Sequence, residues 1–138
     1  MRFIDANVFI YAVLKPKTAL PESLVKRKTA AKEIFLRVNA GEPVTTTTVH
    51  LSEMANVLED AADLGFACDL VSALLSKPSI SVQPVSADTY RESTRLAQKY
   101  SISVNDALAL VVMEQQGIDE IYTFDRHFNQ APVRVVQE

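Results

Sequence analysis

Residues Met1–Leu14, MRFIDANVFIYAVL, carry the reading on which the fold turns. Phe3 and Ile4 form a short apolar run that stops at Asp5-Ala6-Asn7, and a second apolar run starts at once at Val8 and continues to Leu14. The pattern is that of a buried strand ending on a carboxylate. In an open parallel sheet, ligands occupy the crevice outside the carboxyl ends of the strands, so an acid there is well placed for chemistry. Three more acids fall at comparable junctions further along: Glu53, Asp106 and Asp125.

Outward from this stretch, helix and strand signals alternate. Ala30, Ala31, Ile34, Phe35 and Val38 share one face and predict a helix over 22–40, opened by Pro21 and stopped by Gly41. Residues 43–47 read as a β-branched strand after a proline start. Thr47 or Thr48 suits the cap of a helix running to about Leu64 and ending at Gly65. Leu51, Met54, Ala55 and Leu58 make its core stripe, with Glu53 beside them. A shorter helix over 67–76 and a strand over 80–85 follow, and Pro84 places that strand's far end outside central pairing. Ser86 opens a helix to about Tyr100 with Tyr90, Thr94 and Ala97 inward, and Ser103 opens another. Ala107–Met113 is apolar on every side, which predicts a helix buried between neighbours. Residues 120–124 form a fourth strand ending at Asp125, and 133–136 a short edge strand.

This alternation defines an α/β chain: a three-layer α/β/α sandwich around a parallel sheet of four to five strands, one domain over 1–138. All three glycines are expected at helix ends, which leaves none for a GxGxxG turn or a P-loop. An apolar content of 48% with interspersed charge argues against disorder. Beyond the opening, the longest apolar block is Ala107–Met113, far short of the roughly 18 residues that cross a bilayer. No cleavable leader pattern is visible, so a soluble cytoplasmic protein without a membrane partner is expected. The single Cys68 cannot close an intrachain disulfide, in keeping with a reducing compartment. The net charge of −3 is no general signature of nucleic-acid binding. Yet Lys15, Lys17, Lys26, Arg27, Lys28, Lys32 and Arg37, half of the 14 cationic residues, fall in one segment. That segment suits either a solvated helix face or a track for phosphates.

Each acid has a plain structural alternative. Asp5 and Asp125 suit helix caps, Ser103-Val104-Asn105-Asp106 matches a capping box, and Glu53 suits a surface. Four like charges at one sheet edge, however, repel in a partly desolvated crevice unless a cation neutralises them. Oxygen ligands favour Mg²⁺ or Mn²⁺, and such ions suit phosphodiester hydrolysis. Zinc has less support, because neither His50 nor His127 has a Cys or His partner at ligand spacing. His127 reads as a surface-loop residue within reach of a substrate. No serine sits in a nucleophile-elbow context. Asn7 suits a bond to a metal-bound water or the Asp5 carboxylate, or a turn; Thr123 suits ordering of Asp125 or a plain strand position; and Arg126 suits a phosphate or open solvent.

Asp5-Ala6-Asn7-Val8-Phe9-Ile10-Tyr11-Ala12, Glu53 in a central helix, Asn105-Asp106-Ala107-Leu108 and Thr123-Phe124-Asp125-Arg126-His127-Phe128 together resemble the PIN-domain family over nearly the whole chain. The resemblance implies a Mg²⁺- or Mn²⁺-dependent ribonuclease in which Asp5, Glu53, Asp106 and Asp125 are the metal-binding, catalytic acids, with Asn7 and Thr123 in support. For a chain of this size it also implies a VapC-type toxin with an RNA substrate, a cognate antitoxin and a homodimeric state. Ala6 stands where the family usually has Thr. The alternative is a non-catalytic PIN-like module that binds RNA or a protein; a receiver domain shares the fold class only. The apolar-rich helices near Val57–Leu75 suit either a dimer face or core.

Overall fold

Phe3 and Ile4 are fully buried and point to opposite faces of their strand, β1 (Arg2–Ile4), as the period of two requires. The structure, a computed structural model, describes residues 1–138. Four further strands, β2 (Val44–Thr47), β3 (Ile80–Gln83), β4 (Glu120–Tyr122) and β5 (Arg134–Val136), complete an all-parallel sheet of order β3-β2-β1-β4-β5. The helices are α1 (Ala6–Val13), α2 (Glu22–Asn39), α3 (Thr48–Ala61), α4 (Leu64–Ser76), α5 (Ala87–Tyr100) and α6 (Val104–Gln116). The expected α/β fold around a parallel sheet of four to five strands is the fold observed, with five strands.

Two cores hold the layers together. On one face Ile4 and Val44 meet Val8 and Phe9 of α1, Ile34 and Val38 of α2, Met54 and Leu58 of α3 and Leu74 of α4. On the other, Phe3 and Ile121 meet Leu96 of α5 and the fully enclosed Ala107–Met113 of α6. No helix is long and apolar enough to cross a membrane.

The chain lays β1, β2 and β3 outward to one side and then returns to place β4 and β5 on the other, so strand order reverses between β1 and β4. Phe3 lies beside Ile121 and Ile4 beside Tyr122, and the Asp5 amide extends the pairing by donating to the Tyr122 carbonyl at 3.0 Å. Asp5 and the segment after Tyr122 therefore leave the sheet side by side at its reversal point. At the opposite end, the Tyr122 hydroxyl accepts from Arg2 Nη1 and donates to Glu42 Oε2, both at 2.7 Å, fastening the amino edge.

Several boundaries differ from expectation. Gly65 does not end α3; that helix stops at Ala61, and Asp63 caps α4 by accepting the Phe66 amide at 2.8 Å, which puts Gly65 in the first turn of α4. Strand β4 stops at Tyr122 rather than Phe124, because side chains take over the next amides: Phe124 donates to Asn7 Oδ1 and Asp125 to Thr123 Oγ1. Strand β3 stops at Gln83, before Pro84, on a sheet edge. In α5 the inward positions are Ser93, Leu96 and Ala97, while Thr94 is exposed. Thr47 is the cap of α3, accepting the His50 amide at 3.2 Å.

Candidate metal centre and active site

Asp5 is 5% exposed, and its side chain makes no capping bond to α1. Instead Thr123 Oγ1 donates to Asp5 Oδ2 at 2.8 Å. The same hydroxyl accepts from the Asp125 amide at 3.0 Å and from Asn7 Nδ2 at 3.3 Å. One hydroxyl thus uses its single donor and both acceptor positions. Thr123 orders the Asp5 carboxylate rather than that of Asp125, and Asn7 braces Thr123 and Phe124 rather than touching Asp5.

Asp106 sits in the first turn of α6, where its amide donates to the Ser103 cap at 3.1 Å. Asp125 caps the 3₁₀ turn Arg126–Gln130 by accepting the His127 amide on Oδ1 at 2.9 Å, and His127 Nδ1 lies 3.1 Å from the same oxygen. Asp106, Asp125 and His127 each bring one donor atom to within 4.8 Å of the others. Glu53 and Asp5 lie outside that group. Glu53 faces it from α3 across an open cleft of about 510 Å³, whose wall includes Tyr90, Asn105, Asp106, Asp125 and His127. The Tyr90 hydroxyl donates to Asn105 Oδ1, and Asn105 lies against Glu53. Asp5 lies behind the cleft, close enough to feel the charges of Asp106 and Glu53.

Those proximities appear as proton affinities. Burial pushes Asp5 from 3.8 to about 7 against the pull of the Thr123 bond, with Asp106 and Glu53 adding repulsion. Burial and then the neighbouring Asp125 charge raise Asp106 to about 6. Glu53 is also raised by burial, an effect that Asn105 partly offsets. None of the four acids forms an ion pair with Lys or Arg. An uncompensated carboxylate cluster with acid oxygens and one imidazole nitrogen is a donor set that fits a divalent cation.

The cationic segment does not act as a unit. Lys28 turns inward and donates to the carbonyls of Tyr11 and Leu14, and Arg37 bonds Tyr122 at the amino edge of the sheet. Lys26 and Arg27 line a separate concavity of about 600 Å³ beside Phe124, Asn129 and Gln137. Arg126 is exposed and makes no ion pair. Tyr90 and Asn105 were not singled out in sequence as parts of the cleft wall, and His127 was expected as a surface residue. The Asp-x-His spacing at a helix cap was the available signal for His127.

A five-stranded parallel sheet with helices on both faces defines an α/β protein. The PIN domain model matches residues 2–133, and the chain belongs to that family. The crystal structure of Mycobacterium tuberculosis VapC20, described as a sarcin–ricin loop cleaving toxin, is similar with a TM-score of 0.79 at 21% identity, covering 100% of both chains. A toxin–antitoxin complex from Klebsiella pneumoniae matches with a TM-score of 0.67 at 17% identity, over 99% of this chain and 96% of that one. VapBC2 from Rickettsia felis, bound to a DNA fragment from its promoter, matches at 0.65 and 13% identity, over 98% and 96%. No significant match was found among curated proteins.

Proposed function

We propose that this PIN-domain chain is a divalent-cation-dependent endoribonuclease, the toxin of a toxin–antitoxin pair acting on RNA in the cytoplasm. The observation that carries this reading is that Glu53, Asp106 and Asp125 line one cleft with Asp5 buried behind it, and no Lys or Arg pairs with any of them. Likeness to VapC20 and to two toxin–antitoxin assemblies supports RNA as substrate and an antitoxin as partner.

In this reading Asp5, Asp106 and Asp125 hold Mg²⁺ or Mn²⁺, and Glu53 binds a second ion or orients the attacking water. The bound cation supplies charge neutralisation and Lewis-acid polarisation of the scissile phosphate. Thr123 keeps the Asp5 carboxylate aimed, so no reorganisation is needed on cation entry. Burial gives Glu53 a raised proton affinity, which suits it to take a proton from water. Lys26 and Arg27 contact phosphates away from the cut, and Arg126, free of other partners, pairs with a phosphate near it. Val57, Leu64, Phe66 and Leu75, all exposed on α3 and α4, form the face we assign to a homodimer.

Purified protein incubated with single-stranded and hairpin RNAs tests this directly, with Mn²⁺, with Mg²⁺ and with chelator. Cation-dependent cutting that disappears in Asp106→Asn is the expected result. A folded, antitoxin-free protein that binds these RNAs without cutting them would instead be a binding module.

A further inference from the structure

We infer that His127 is a ligand of this centre, making it a mixed oxygen–nitrogen site that favours first-row transition ions such as Mn²⁺ over Mg²⁺. The inference rests on the cation-dependent reading above and adds a ligand to it.

The geometry comes first. In an octahedral site with bonds of about 2.1 Å, neighbouring ligand atoms lie about 3 Å apart and opposite ones about 4.2 Å apart. His127 Nδ1 and Asp125 Oδ1 are separated by 3.1 Å, and Asp106 completes a group spanning 4.8 Å. Asp125 faces an imidazole on one side and the Asp106 carboxyl on the other. A single ion among these atoms would satisfy all three groups.

Local structure places His127 there. Asp125 Oδ1 accepts the His127 amide at 2.9 Å, which holds the two residues on the same side of the 3₁₀ turn. Phe128, the next residue, is fully buried and pins that turn to the core. The imidazole itself is mostly exposed, with Nδ1 already turned toward Asp125 Oδ1. A simple Asp125–His127 surface pair satisfies Asp125 alone and leaves Asp106 next to a like charge. His50, the other histidine, is fully buried against Phe3 and lines no part of the cleft.

The selectivity follows from ligand chemistry. Mg²⁺ prefers oxygen and retains its water, whereas imidazole is a good donor to transition ions.

Electron spin-echo spectroscopy of Mn²⁺ bound to the protein reads nitrogen coordination without any substrate. Wild type is expected to show strong coupling to one directly bound ¹⁴N, and His127→Ala to lose it. Mn²⁺ affinity should fall on the order of tenfold in His127→Ala, while Mg²⁺ affinity, read by competition, changes by less than about threefold. His127→Asn should behave as His127→Ala does. Bound Mn²⁺ without ¹⁴N coupling, or equal losses for both ions, overturns the ligand assignment and leaves the nuclease reading standing. Failure of wild type to bind Mn²⁺ at all overturns both.

Discussion

Asp5→Asn is expected to make the cation-free protein more stable while abolishing the proposed cleavage of RNA. Asp5 is almost wholly buried, and its carboxyl is raised from 3.8 to about 7. Holding it ionised at pH 8 therefore costs the folded state about 4 kcal/mol at most. Asparagine removes that charge and its repulsion from Asp106 and Glu53, but weakens the bond from Thr123 by about 1–2 kcal/mol. The net gain is about 2 kcal/mol, which in a chain of this length raises Tm by roughly 6–10 °C. The sign with pH is fixed by the raised pKa. The stability that a neutral Asp5 contributes is fully present below about pH 3.8, is lost as pH rises, and is gone above about 7. The advantage of asparagine should thus be largest at pH 8 and shrink at pH 5. Thermal denaturation in chelator at both pH values is the assay, repeated with millimolar Mn²⁺, which should stabilise wild type far more than the variant. An Asp5→Asn protein no more stable than wild type at pH 8 in chelator would refute the claim that this carboxylate is held under electrostatic stress.

Thr123→Val keeps the shape but deprives Asp5 of its only side-chain donor, so urea denaturation should show a loss of about 1–3 kcal/mol, with weaker Mn²⁺ binding. His50 is lowered by burial to about 4, so its contribution is intact above about pH 6.5 and is lost as pH falls toward 4, up to about 3 kcal/mol. His50→Gln should flatten that part of the urea-midpoint profile between pH 7 and 4, and an unchanged slope would place the titration elsewhere. Replacing Lys26 and Arg27 together by alanine should weaken RNA binding at low salt and make its salt dependence shallower by about 1–2 in log–log slope, leaving Mn²⁺ affinity unchanged.

The sheet was legible because its signals are local. Phe3-Ile4 stopping at Asp5, the β-branched 43–47 and the all-apolar Ala107–Met113 each show burial through composition alone. The gathering of acids at one edge followed from topology, since all strands run parallel and each acid lies near a strand end or a helix start. What was hidden depends on pairs distant in sequence or on competing local chemistry. Gly65 looked like a helix stop, yet the break came from the Asp63 cap two residues earlier. Thr123 looked bound to Asp125, its near neighbour, whereas its one proton goes to the partner strand. The cations of the 15–37 segment share a stretch of chain but not a surface, because the helical period turns Lys28 inward and Lys26 outward.

The bond from Thr123 to Asp5 joins residues 118 positions apart. Before β4 enters the sheet beside β1, Asp5 lacks the donor that orders it. The carboxylate that ends the first strand therefore depends for its order on the fourth. The fourth strand acts as a completion mark: a chain that lacks it and Thr123 cannot order Asp5 in this way.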